Sequence, residues 1–130
     1  MNLQQYFSET EGVGILSTAD IGGKVNGAVY AKPHFLEDGC LAFIMRDKLT
    51  RKNLLSNPHA AYIFVESGTG FQGIRLYLGK KEEVQDDEFI DSISRRARNK
   101  SVDRAEPRFL VTFKVEKVLK LVGDTELSVD

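Results

Sequence analysis

Cys40-Leu41-Ala42-Phe43-Ile44-Met45-Arg46-Asp47-Lys48-Leu49-Thr50-Arg51-Lys52-Asn53 runs straight from an apolar segment into a basic one. Residues 40–45 are apolar at every position, as in a strand buried on both faces. Residues 49–57 then read as a short polar helix, with Thr50 as its N-cap and Pro58 closing it. Downstream, residues 60–65 form another nearly continuous apolar strand. Upstream, Glu37-Asp38-Gly39 is a hairpin signal. Residues 24–35 read as a strand that Pro33 restricts to an edge or an end.

Further out, residues 13–19 are rich in strand formers and stop at the turn cluster Asp20-Ile21-Gly22-Gly23. Residues 2–11 carry Leu3, Tyr6 and Phe7 at helical spacing, and Gly12 ends that helix. On the other side, the loop Ser67-Gly68-Thr69-Gly70-Phe71-Gln72-Gly73 leads into a strand at 74–78. Residues 86–98 read as an amphipathic helix with Phe89, Ile90, Ile93 and Ala97 on one stripe. In the last strand Phe109, Val111, Phe113 and Val115 share a face, and Leu119 and Leu121 keep the same parity. Strands joined by tight turns, with few and short helices, predict a mainly β antiparallel barrel.

The chain has 130 residues, 42% hydrophobic and 28% charged, which fits one globular domain over 1–130. A net charge of −1 argues against a protein that coats nucleic acid or an anionic membrane. The apolar run at residues 41–45, even extended by Cys40, is far short of the ~20 residues of a membrane span. The N-terminus lacks the basic head and apolar stretch of a signal peptide, so a cytoplasmic location is expected. Cys40 is the only cysteine, which excludes an internal disulfide.

Chemistry concentrates in Arg46, Lys48, Arg51 and Lys52, four basic side chains around a predicted helix start. Free N–H groups and the positive end of the dipole make such a start a natural anion site. Cations are unfavourable in a first turn, so stability alone does not place Arg51 and Lys52 there. One phosphate on a small ligand fits, and a solvated basic turn is the plain alternative. The second basic group, Arg95, Arg96, Arg98, Lys100, Arg104 and Arg108, closes a helix opened by Asp86, Asp87 and Glu88, which the macrodipole favours. Cys40 reads as a small packed thiol rather than a nucleophile. No spacing links His34 or His59 to it or to a metal site. The glycine-rich loop matches neither the dinucleotide nor the P-loop pattern, and its glycines suggest close approach to a ligand or a neighbouring chain.

Taken in order, residues 12–20, 23–34, 38–45, 49–54 and 57–64 resemble the pyridoxamine 5'-phosphate oxidase-like family of FMN-binding split barrels, especially its short members. The resemblance covers roughly residues 10–122, with Thr50-Arg51-Lys52-Asn53 and Asn57-Pro58 as its more specific marks. It implies a six-stranded antiparallel split barrel that is a homodimer with FMN at the interface. It also implies that Thr50, Arg51 and Lys52 hold the FMN phosphate, with Lys48 and Asn53 in the same segment. Ala28, Val29 and Tyr30 would line the isoalloxazine, partly through backbone groups, with Met45 and Arg46 opposite. Asn26 would reach the cofactor as well, and Gln72 would come from the partner chain.

Two departures narrow the function. No arginine stands near Gly27 or Ala28, and the C-terminal segment with Trp and Arg that recognises pyridoxal is missing. Oxidation of vitamin B6 itself is therefore not expected. The implied function is an FMN-binding flavoprotein, an oxidoreductase or electron carrier with unnamed small-molecule or protein redox partners. The alternatives are a non-enzymatic barrel that holds or stores haem or a deazaflavin, and, from another class, a nucleic-acid-binding barrel. Neither a nucleic acid nor a membrane is expected as a partner.

Overall fold

The computed structural model describes residues 1–94 and 106–130. Three helices, α1 (Leu3–Glu9), α2 (Leu49–Ser56) and α3 (Asp87–Ile93), accompany seven strands. The strands are β1 (Gly12–Ala19), β2 (Val25–Val29), β3 (His34–Phe35), β4 (Leu41–Arg46), β5 (His59–Glu66), β6 (Gly73–Val84) and β7 (Arg108–Lys120). All pair antiparallel in one sheet of order β2-β1-β5-β6-β7-β4-β3.

That order itself requires a barrel. β2 and β3 lie at opposite edges of the sheet, yet only residues 30–33 separate them in the chain. Such a link spans at most about 18 Å, whereas seven flat strands would put the edges about 29 Å apart. The sheet must curl until its edges approach. This crossing also explains the strand count, seven rather than the expected six: the segment 24–35 is two strands, not one. Tyr30 N–H still donates to Gly14 O at 3.0 Å, but Pro33 has no N–H to give, and the chain leaves one edge for the other.

Alternation along the strands fills the barrel with Leu16, Phe43, Tyr62, Phe64, Leu76, Leu78, Phe113 and Val118, all within 2% exposure. The Phe43 and Tyr62 rings lie 4.9 Å apart at the centre. α1 adds Leu3 and Phe7 to the same core, the Phe7 ring edge-on to Phe64 at 5.1 Å. Its Tyr6 hydroxyl donates to Glu66 at 2.6 Å, a contact that, after burial, helps push the phenol pKa far up. α3 covers the outer side of β4 and β7, burying Ile90 against Ala42 and Leu110. β4 is therefore buried on both faces, as its composition predicts, and residues 108–113 of β7 are buried without a break.

Two differences from the expected pattern have simple causes. β6 continues to Val84 rather than ending at 78, because the charged residues beyond Gly79 find partners: Lys80 Nζ donates to Leu54 O and Lys81 pairs with Asp38. In β7 the ladder passes from Leu78↔Val115 to Tyr77↔Lys117, so Glu116 is an extra residue. This bulge reverses the parity and turns Val118 into the core, where continued alternation would place Leu119. The predicted helix 86–98 is observed as α3 with Asp86 as its cap. It ends at Ile93, where Ser94 takes an extended backbone, so it is shorter than the expected 86–98; the arginines from 95 to 104 lie outside the described residues.

Candidate functional site

α2 starts where β4 ends, and its first turn is the chemical centre of the molecule. The N-cap is Lys48, with extended backbone and no side-chain cap bond, and the first turn holds no acidic residue. By helix geometry its leading N–H groups have no intrahelical partner. Thr50 is therefore not the cap that its side chain suggests. It lies one residue inside the helix, 4% exposed, with its hydroxyl against the Tyr30 phenol, whose pKa burial raises. Packing of α2 onto the end of the barrel takes Thr50 inward, and the cap passes to a lysine.

The other buried polar residue of α2 is Asn53, whose Nδ2 donates to Thr18 Oγ1 at 3.1 Å. This bond ties the helix to β1 and commits the Asn53 side chain to the barrel, where it is 5% exposed. Asn53→Ala is expected to cost about 1–3 kcal/mol in a chemical denaturation curve, because the buried Thr18 hydroxyl loses its partner. A change within about 0.3 kcal/mol would show that the bond is not used.

The basic side chains divide into two kinds. Arg51 donates Nε and Nη2 to the two carboxylate oxygens of Glu83, at 2.8 and 2.9 Å, and Nη1 to Asp47 at 3.0 Å. Its guanidinium also stacks on the Phe109 ring, 3.6 Å from the centroid. These hydrogen bonds hold the Glu83 carboxyl below its ordinary pKa and raise that of Arg51. Arg46 donates to Glu106 O at 2.8 Å. Lys48 and Lys52 are exposed at the start of α2 and joined through the backbone bond from Lys52 N–H to Lys48 O. Among the described residues neither has a hydrogen-bond or ion-pair partner for its ammonium.

The remaining predicted residues do not all converge. α2 packs against β1, β2 and β4. The pairs Thr18↔Asn26 and Leu16↔Ala28 put Asn26 and Ala28 on the side of β2 that meets α2. Val29 pairs with Ile15 on the opposite, outward face and is 74% exposed. Tyr30 and Met45 turn their side chains into the core, Met45 at 1% exposure and Tyr30 with its ring 5.8 Å from Phe43. Gln72 is remote: Gly73 pairs with Val65 while Gly79 pairs with His59 beside α2, about 20 Å along the strand.

Glu83 and Phe109, which hold Arg51, have no local sequence signal, since they come together only through the β6–β7 register. Outside the barrel, Val13, Ile15, Val25 and Val29 form an exposed apolar stripe, with Ile63 and Val65 paired directly to Ile15 and Val13. Two clefts lie elsewhere. One of about 480 Å³ is lined by α1, Cys40 and the chain end, and one of about 410 Å³ lies between α1 and residues 32–35. Neither contains a predicted site residue. No helix among the described residues is long and apolar enough to cross a membrane, and no group of three or more His, Cys, Asp or Glu among them is placed for a metal ion.

No protein-family model and no curated protein matches the chain. Solved structures do. An FMN-binding protein of Syntrophomonas wolfei subsp. wolfei superposes with a TM-score of 0.70 at 19% identity, over 94% of this chain and 85% of its own. Tagged HupZ of Group A Streptococcus gives 0.71 at 15% identity, over 97% and 96%. A candidate pyridoxamine 5'-phosphate oxidase of Lactobacillus delbrueckii gives 0.65 at 16%, over 92% of both chains. At these identities the likeness concerns the fold, and it extends along nearly the whole chain. The protein is a split barrel of the pyridoxamine 5'-phosphate oxidase-like fold.

Proposed function

We propose that the protein is an FMN-binding flavoprotein, an oxidoreductase or electron carrier that works as a homodimer with FMN at the interface. The observation that carries this reading is the start of α2: no side-chain cap, no acid in the first turn, and Lys48 and Lys52 with no partner for their ammonium groups among the described residues. The donor set fits a phosphate monoester. Backbone N–H groups and a helix dipole favour an anion at that position, and two ammonium groups balance a dianion. Asn26 and Ala28 on the adjoining face of β2 would border the ribityl chain and ring, with backbone groups of Val29, Tyr30, Met45 and Arg46 nearby. FMN itself supplies the electron or hydride transfer. The chain's own residues bind the phosphate, orient the ring and exclude water.

Two features support the dimeric part of this reading. An apolar stripe over β1 and β2 is uneconomical in water and natural at an interface. Gln72 and the exposed Phe71, which adopts a positive φ of 50°, stand too far from α2 to serve their own protomer's site. In a dimer they can serve the other's.

The test is an absorption spectrum of purified protein incubated with FMN, before and after denaturation. The expected result is two flavin bands and close to one FMN released per chain. A colourless protein that refuses FMN overturns the reading, and a Soret band moves it to haem.

A further inference from the structure

The charges around α2 sum differently from what its sequence suggests. Arg51 has five N–H donors, and three of them are taken by two carboxylates. One face of its guanidinium is covered by Phe109, and its side chain is 16% exposed. Arg51, Asp47 and Glu83 together carry one more negative charge than positive. A dianion brought to this guanidinium meets two carboxylates within ion-pair distance of it, so the cluster offers no net attraction. The four members belong to the β4–α2 turn, α2, β6 and β7, and they clamp the helix start to the barrel wall.

We infer that Arg51 is a positioning residue, locked with Glu83, Asp47 and Phe109 into a strut that aims the first turn of α2, and that selection for a phosphate rests on Lys48 and Lys52. This inference rests on the flavin reading above and changes its division of labour. The lysines carry two positive charges with no partner among the described residues, at a helix end whose dipole opposes them. They repel each other at i,i+4 spacing. A phosphate dianion resolves both conflicts and matches their charge. The strut acts on the whole ligand through the helix it holds, whereas the lysines act on the phosphate alone.

FMN and riboflavin differ only in the phosphate, so the ratio of their affinities separates the two roles. Dissociation constants for both would be measured by fluorescence titration on the wild-type protein, Lys48→Gln/Lys52→Gln, Arg51→Met/Glu83→Met and Glu83→Gln, with thermal melts as folding controls. The wild type is expected to favour FMN at least about tenfold, since each charge-assisted phosphate contact is worth roughly that factor. The lysine pair should bring the ratio close to one while riboflavin affinity stays. Excising the strut as a neutral pair keeps the cluster's net charge and leaves unpaired only Asp47, whose side chain is half exposed and hydrated; it should weaken both ligands by a similar factor, leaving the ratio within about threefold. Glu83→Gln should not raise the ratio.

Collapse of the ratio on excising the strut makes Arg51 a direct phosphate ligand and overturns the inference. So does a tenfold rise in Glu83→Gln, which would mean that Glu83 competes with phosphate for Arg51, and this variant decides the matter if the excision fails to fold. A wild type that binds FMN and riboflavin equally overturns the inference and leaves flavin binding standing. A wild type that binds neither overturns both.

Discussion

Gly14→Ala is expected to destabilise the protein by about 3 kcal/mol, lowering the melting temperature by roughly 10–15 °C. A Cβ at this position would lie 1.8 Å from the Tyr62 hydroxyl oxygen and 2.2 Å from the ring carbon that bears it. Tyr62 is fully buried and cannot swing aside. Its hydroxyl donates to Tyr30 O at 3.0 Å, and its ring is packed among Phe7, Phe43 and Phe64. Either the ring or β1 must move, and each movement reaches the core centre. A double-mutant cycle isolates the cause: in a Tyr62→Ala background the Gly14 substitution should cost little. A single variant that melts within about 2 °C of the wild type would show that the ring does not lie over Gly14.

Ile15→Asp is expected to convert a dimer into a monomer and to remove bound flavin with it. Ile15 stands at the middle of the outward stripe, paired directly with Val29 on one side and Ile63 on the other. It is 36% exposed in the single chain, so a carboxylate there is hydrated in the monomer. In a dimer closed over this face the same carboxylate is buried without a partner, at a cost of several kcal/mol. That corresponds to a shift of a hundredfold or more in the dimer dissociation constant. Light scattering with flavin absorbance across a dilution series reads both effects. A variant that stays dimeric would place the interface on another face, and a monomeric wild type would remove it altogether.

Much of this was legible where the signal is local. The apolar run at 40–45 gave β4, Pro58 ended α2, and the basic side chains marked the helix start. Val25, Val29 and the other outward residues read simply as strand formers, since sequence does not say which face is covered. Pro33 signalled a strand end, but not that the chain crosses from one sheet edge to the other beside it. Alternation from Phe43 does place Met45 inward, so its side chain could have been withdrawn from the site on sequence grounds alone. The state of Arg51 was half legible: Asp47 stands four residues before it, within reach on a helix. Glu83 was not, because its position opposite α2 depends on the β6–β7 register, which the bulges set.

The pairing of β4 with β7 has a consequence for how the protein is made. Leu41 pairs with Phe113, and Met45 with Phe109, so the fourth strand from the N-terminus waits for the last one. Closing so long a loop is slow, because its entropy is lost before any contact repays it. β1, β2, β5 and β6 can form a partial sheet as soon as they emerge from the ribosome. β4, the most apolar segment of the chain, has no neighbour on the β7 side until translation is nearly complete. During that interval it is the segment most exposed to misassociation and to capture by chaperones. Truncation before residue 109 would therefore do more than shorten the barrel: it would leave the most aggregation-prone strand permanently uncovered.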